Sequence, residues 1–124
     1  MAITNPNQTA NLADRSFQFS IRIVKLCCFL QDKHRNLKVV ANQLLRAGTS
    51  IGANIEEGKG AQSRADFIAK YHISLKEARE AHYWLRLLIA ADLVSKKRLQ
   101  GLLGDCEEIA KMLAASLITA KKSR

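Results

Sequence analysis

Proline is nearly absent from this sequence. Pro6 is the only one, and just six glycines join it among 124 residues. A chain so poor in breakers favours a few long helices over many short strands. Aromatic residues are scarce as well, at 6%. Cys27, Cys28 and Cys106 are the only cysteines. An odd number with one vicinal pair is no disulfide framework; it suits a reducing compartment and small buried hydrophobes. No apolar run approaches the roughly 20 residues of a membrane span, and the first residues lack the basic-then-apolar order of a secretory leader. His34, His72 and His82 have no partners at metal-ligand spacing, so no metal or other cofactor is called for. The absences lead to the expectation of a cytoplasmic, helical protein with neither a membrane partner nor a small-molecule substrate.

What is present is apolar and basic. Hydrophobic residues make up 48%, which excludes disorder as a general description. The length fits one domain with its own core. Twenty basic residues against eleven acidic ones give a net charge of +9 and a pI near 9.8. That surplus points to a polyanionic partner, either nucleic acid, RNA or DNA, or an acidic membrane surface, with nucleic acid the expected one.

Four helices can be placed from the spacing of apolar residues, and no segment alternates as a half-buried strand does. Residues 1–10 are polar and aperiodic, the mark of a mobile tail, followed by a bundle over 11–124. The first helix spans about 12–31, capped by Asn11 or Ser16. It carries two apolar lines, Phe17, Ile21, Val24, Cys28 and Phe19, Ile23, Leu26, Leu30, so burial on two sides is expected. Asn36 is a candidate cap for the second helix, 37–57. Within that helix Gly48 and Gly52 stand one turn apart, each costing about 1 kcal/mol relative to alanine. Close approach of a neighbouring backbone is the reason that fits. Gly58-Lys59-Gly60 ends that helix, one of the two glycines suiting the left-handed cap position. Ser63 and Asp66 form a capping box for the third helix, 64–91, expected to be the longest. Its core line is Phe67, Tyr71, Ser74, Ala78, Ala81, Leu85 and Leu88, with Trp84 exposed on a flank. Ser95 caps the fourth, 96–120, through which Leu99, Leu102, Leu103, Cys106, Ile109, Ala110, Leu113 and Leu117 recur. The fold class is therefore all-α, an up-and-down antiparallel four-helix bundle.

Chemistry is harder to find. Gly48-Thr49-Ser50-Ile51-Gly52 matches a hydrolase nucleophile elbow, but that motif works only at a strand-to-helix turn, and here it lies mid-helix. Gly52 to Lys59 has five residues between its glycines where a phosphate-binding loop has four, and no serine or threonine follows the lysine. No catalytic residue is expected. The binding signal is on the third helix, where His72, Lys76, Arg79, Tyr83 and Arg86 recur at spacings of 4, 3, 4 and 3 and share one narrow face. Their cations suit phosphates, and Tyr83 suits stacking on a base. Arg15, Arg22 and Lys25 form a basic face on the first helix that would extend this surface if the two adjoined. Gln43, Arg46, Ser50, Asn54 and Glu57 make a polar stripe on the second helix, read as structural, pinning register or a subunit contact.

The run QLLRAGTSIGANIEEG, followed by DFIAKYHISLKEAREAHYWLRLL, resembles a four-helix-bundle family found in two settings. One is the protein encoded by intervening sequences of bacterial large-subunit ribosomal RNA. The other is the accessory variability determinant of diversity-generating retroelements, bacterial or phage-encoded, to which the basic third helix is most similar. The resemblance covers about Phe17 to Leu117 and is most specific from Arg46 to Gly58. Glu56 departs from the family's usual alanine, and the proline that commonly precedes the second helix is missing. The resemblance implies a ring-shaped homo-oligomer, a homopentamer, with a basic surface. It implies a non-enzymatic accessory subunit that binds a reverse transcriptase and nucleic acid during mutagenic complementary-DNA synthesis. In the ribosomal-RNA setting it implies an RNA-associated bundle with no polymerase partner.

Overall fold

A computed structural model describes residues 6–33 and 35–122. Among these residues the chain forms helices α1 (Pro6–Lys33), α2 (Lys38–Lys59), α3 (Arg64–Ala90) and α4 (Lys96–Lys122), with a single 3₁₀ turn at Arg35–Leu37. No strand occurs among them. Consecutive helices pack against each other and α1 closes against α4, whereas α1 and α3 make no contact. This is the up-and-down bundle, with α1 diagonal to α3.

The core is the predicted one along α3 and α4. Phe67, Tyr71, Ser74, Ala78, Ala81, Leu85 and Leu88 are all buried, as are Leu99, Leu102, Cys106, Ile109, Leu113 and Leu117, whereas Leu103 and Ala110 of the predicted α4 line are only half-buried. Two polar atoms stitch helices inside it: Ser74 Oγ donates to Ile51 O at 2.8 Å and Cys106 Sγ to Ala78 O at 3.2 Å. Gly48 does let α1 approach, since a Cβ there would lie 2.9 Å from Ile23 Cγ2. At Gly52 the same atom would sit 3.3 Å from Ser20 Oγ and 3.4 Å from Ser16 O.

Several expectations need correction. Helix α1 begins at Pro6 rather than Leu12, because proline is well suited to a first helical position where no N–H is needed. The remaining tail residues, 1–5, and the mobility expected of them lie outside the described residues, as does His34. Asn11 and Ser16 are therefore interior helical residues; Ser16 Oγ donates to Ala13 O at 3.0 Å. Asn36 lies inside the 3₁₀ turn, and α2 starts with no side-chain cap at all. Helix α2 does end within Gly58-Lys59-Gly60, with Gly60 as its cap, but at φ −95° rather than in the left-handed region, while Gly58 is still helical and buried against Tyr71. Helix α1, with 28 residues, exceeds α3 with 27. Of the two apolar lines on α1 only Phe19, Ile23, Leu26 and Leu30 are buried; Phe17 is 61% and Val24 42% exposed. Phe17 borders a hollow with Thr49, Gly52, Ala53 and Glu56 of α2. Cys28 lies on the same outer line and is exposed, whereas Cys27 and Cys106 are buried as expected.

Both other caps form as read. Ser63 Oγ accepts from the backbone N–H of Asp66 at 3.1 Å, with Asp66 reaching back to the N–H of Gln62 at 3.3 Å. Ser95 Oγ accepts from the N–H of Arg98 at 3.2 Å.

Candidate nucleic-acid interface

His72, Lys76, Arg79, Tyr83 and Arg86 all stand exposed along the outer face of α3. The helix buries the opposite side through its core line, so a 3-4 spacing on this side necessarily projects outward. Tyr83 meets Trp84 edge-to-face with centroids 5.0 Å apart, which steadies an otherwise free ring. Trp84 itself is half-buried rather than exposed, because its indole N–H donates to Glu80 at 3.1 Å. Among the described residues no carboxylate comes within ion-pair distance of Lys76, Arg79 or Arg86.

The cations elsewhere on the three helices are treated differently. Arg15 and Arg22 of α1 both turn to Asp105 of α4, the first at 4.0 Å, and Arg15 also donates to Met112 Sδ at 3.4 Å. Lys25 is exposed. Since α1 is diagonal to α3, the structure does not bring Arg15, Arg22 and Lys25 beside the α3 line.

The polar stripe of α2 lies at the α3 seam. Arg46 donates to Glu77 at 3.0 Å and to Glu80, and its Nε donates to Gln43 Oε1 at 3.3 Å. Glu57 accepts from Lys70 at 2.8 Å. Ser50 Oγ donates to Arg46 O at 2.6 Å, and Asn54 Nδ2 to Ser50 O at 2.8 Å, so these two bond their own helix. The charges shift accordingly. The hydrogen bond from Trp84, then that from Arg46, holds the Glu80 carboxyl below the usual carboxylate range. The Glu80 hydrogen bond raises Arg46, and that of Glu57 raises Lys70.

Helix α4 adds residues that the sequence reading passed over. Arg79 and Lys111 border a groove between α3 and α4 that is floored by Ala78, Cys106 and Ala110. His82 and Glu107 meet within it at 3.3 Å. Along the same helix pair Arg86 and Lys96 border a second hollow with Leu103 and Gly104. Lys96, Gln100, Gly104, Glu107 and Lys111 step along α4 at 4, 4, 3 and 4, a signal hidden behind the stronger apolar one. The thiol at the floor is inert: burial, then Glu107 and Asp105, pushes Cys106 up to about 12. No group of residues able to hold a metal ion occurs among the described residues, and no described helix is long and apolar enough to cross a membrane.

The fold and this surface define a compact helical bundle with an exposed basic line along α3. Comparison with known proteins specifies it further. The chain belongs to the 23S rRNA-intervening sequence protein family, whose model matches residues 8–115. It is similar to a solved protein of unknown function from the S23 ribosomal protein family of Bacteroides thetaiotaomicron VPI-5482. The two are 45% identical, the match covers 86% of this chain and 97% of that one, and the TM-score is 0.82. No curated protein matches. Of the two settings in the resemblance, these findings name the ribosomal-RNA one and neither a retroelement nor a reverse transcriptase.

Proposed function

We propose that this protein is a non-catalytic, cytoplasmic RNA-binding subunit of a bacterium, gripping the phosphate backbone with the outer face of α3 and the rim of the α3–α4 groove. One observation carries the reading. Asp105 takes up Arg15 and Arg22, Glu77 and Glu80 take up Arg46, and Glu57 takes up Lys70, whereas Lys76, Arg79 and Arg86 share one exposed α3 face with Tyr83 and have no carboxylate at ion-pair distance among the described residues. Unpaired cations release counterions when they meet phosphate, and an aromatic among them adds sequence-tolerant stacking. Ser50 plays no catalytic part, its hydroxyl being spent on its own helix. The family's tie to ribosomal RNA supports RNA as the polyanion.

The test is a salt titration of binding to labelled RNA and DNA, for the wild type and for Lys76→Glu/Arg79→Glu/Arg86→Glu. Loss of most RNA affinity in the variant is expected, and unchanged binding would sink the proposal.

Self-association is part of the same reading, with the exposed Phe17–Val24–Cys28 line of α1 in its favour. The homopentameric ring and the reverse transcriptase come from the resemblance. A tagged copy that recovers a polymerase from its host supports the retroelement role. One that recovers ribosomal RNA alone supports the bundle without a polymerase.

A further inference from the structure

Charge also gathers where the periodicity of single helices gave no hint of it. Antiparallel alternation brings the α1–α2 and α3–α4 turns to the same end of the bundle, where Phe29, Lys33, Val94 and Arg98 line one shallow groove. Lys33, Arg35 and Lys38 come from the first turn, and Lys96, Lys97 and Arg98 from the second. All six are exposed, with only Asp32 and Asp92 as acids nearby in sequence. Among the described residues none of the six has a carboxylate at ion-pair distance. The opposite end handles its cations otherwise, with Lys59 at 3.7 Å from Glu56 and Lys70 at 2.8 Å from Glu57.

Stability accounts for Lys33, which complements the C-terminal end of α1, but not for the cations at the helix starts. Neither α2 nor α4 has an acid in its first turn, and α4 opens instead on three consecutive cations. Cations at the positive end of a helix oppose its dipole and weaken it. Arg98 is meanwhile held in place by Phe29, its Cζ 3.9 Å from the ring centroid. Stacking fixes the guanidinium plane and leaves its N–H edge directed at whatever lies outside, an arrangement suited to phosphate oxygens.

We propose that this end of the bundle is a second RNA surface, meeting the α3 face at Lys96, that takes the phosphodiester backbone of a strand crossing both turns. An acidic membrane fits less well. The aromatic ring at this end lies under Arg98, and Val39 and Leu93 are the large hydrophobics exposed near it. A bilayer-seated surface presents a wider apolar face than that. The inference rests on the reading of the protein as an RNA binder, and the experiment separates the two.

The full-length chain is titrated with a labelled RNA single strand of roughly 20 nucleotides, long enough to span several basic contacts. Three proteins are compared: wild type, Arg35→Glu/Lys38→Glu/Lys97→Glu, and the α3 triple variant. The end variant is expected to bind about tenfold more weakly at physiological salt. Its log–log salt slope should fall by roughly 2, at about 0.7 per lost phosphate contact. Its melting temperature should hold or rise, because acids suit helix starts. Should it melt lower, Arg35→Gln/Lys38→Gln/Lys97→Gln replaces it, with the same slope change expected. Unchanged RNA affinity in the end variant while the α3 variant loses binding overturns this inference and leaves the α3 reading standing. Loss in the end variant alone supports the inference and removes the α3 face. No loss in either overturns both. Binding to phosphatidylserine vesicles that depends on the end cations, with RNA affinity untouched by their reversal, also overturns it.

Discussion

Gly58 and Tyr71 compete for the same space: a Cβ on the glycine would lie 2.8 Å from Tyr71 Cε1 and 3.1 Å from Cδ1. Tyr71 is fully buried and stacked on Phe67 with centroids 4.1 Å apart, so its ring has nowhere to retreat. Overpacking of this kind costs about 1–3 kcal/mol, more than the helix propensity of about 1 kcal/mol that alanine returns. Gly58→Ala should therefore destabilise the protein by about 1 kcal/mol. Gly104→Ala is the control, because nothing lies within 4 Å of its added Cβ, and it should stabilise by about 0.5–1 kcal/mol. Urea denaturation of the two variants checks the opposite signs; equal shifts would refute the packing account.

Asp92 is the only residue other than glycine with a positive φ among those described, at 58°. It follows the α3 cap at Ala91, and the 6→1 bond from Leu93 N to Leu88 O, at 3.0 Å, closes the motif in which glycine is usual. Aspartate tolerates this conformation better than most residues but retains a Cβ penalty. Asp92→Gly should raise stability by about 0.5 kcal/mol, or about 2 °C in melting temperature. Asp92→Val, β-branched, should lower it by more than that. A melting temperature for Asp92→Gly at or below the wild type would show that the strain is relieved elsewhere.

Asp92 and Gly58 also show where the sequence was readable. Four helices and their inner faces follow from apolar spacing, since each core line is a property of one helix. Gly48 and Gly52 were legible because two propensity penalties one turn apart require a compensating contact. Gly58 and Gly60 could not be told apart as terminators, because glycine serves both a helix cap and a tight packing site; only Tyr71, on another helix, shows that Gly58 is the packing site. The candidate site divides in the same way. The α3 line is periodic and was visible. That Arg22 meets Asp105, 83 residues away, was not, because spacing shows which residues share a face and never which helix lies opposite. The basic end was missed for a further reason: its cations belong to two turns that only the fold brings together.

The α2–α3 seam gives the protein an acid-sensitive contact. Glu80 accepts from Trp84 and Arg46 and is held below its ordinary range. A carboxylate depressed in the folded state adds stability above its unfolded value of about 4.3, and that stability is lost as pH falls through the lower, folded value. An exposed pair of this type contributes about 0.2–1 kcal/mol. Glu80→Gln should thus be less stable than wild type at neutral pH, and the two should converge as pH drops below about 4. Denaturant midpoints across that range provide the check. A constant gap at every pH would mean that the amide loses packing rather than charge.

The outer line of α1 gives the last prediction. Phe17 and Val24 are 61% and 42% exposed on the single chain, and Cys28 beside them is exposed as well. Their substitution touches no core contact, so Phe17→Glu/Val24→Glu should fold with a melting temperature close to that of wild type at low concentration. If copies of the chain meet along this line, two carboxylates from each chain would be buried at the interface, each costing several kcal/mol. Light scattering should then show an oligomer for wild type and a monomer for the variant. Cys28 supplies an independent readout. In the native protein a maleimide should reach it slowly at high protein concentration and quickly at low, while buried Cys27 and Cys106, pushed up to about 11 and about 12, stay unreactive. A variant that keeps the wild-type mass, with Cys28 labelled at a rate independent of concentration, would place any assembly on another face.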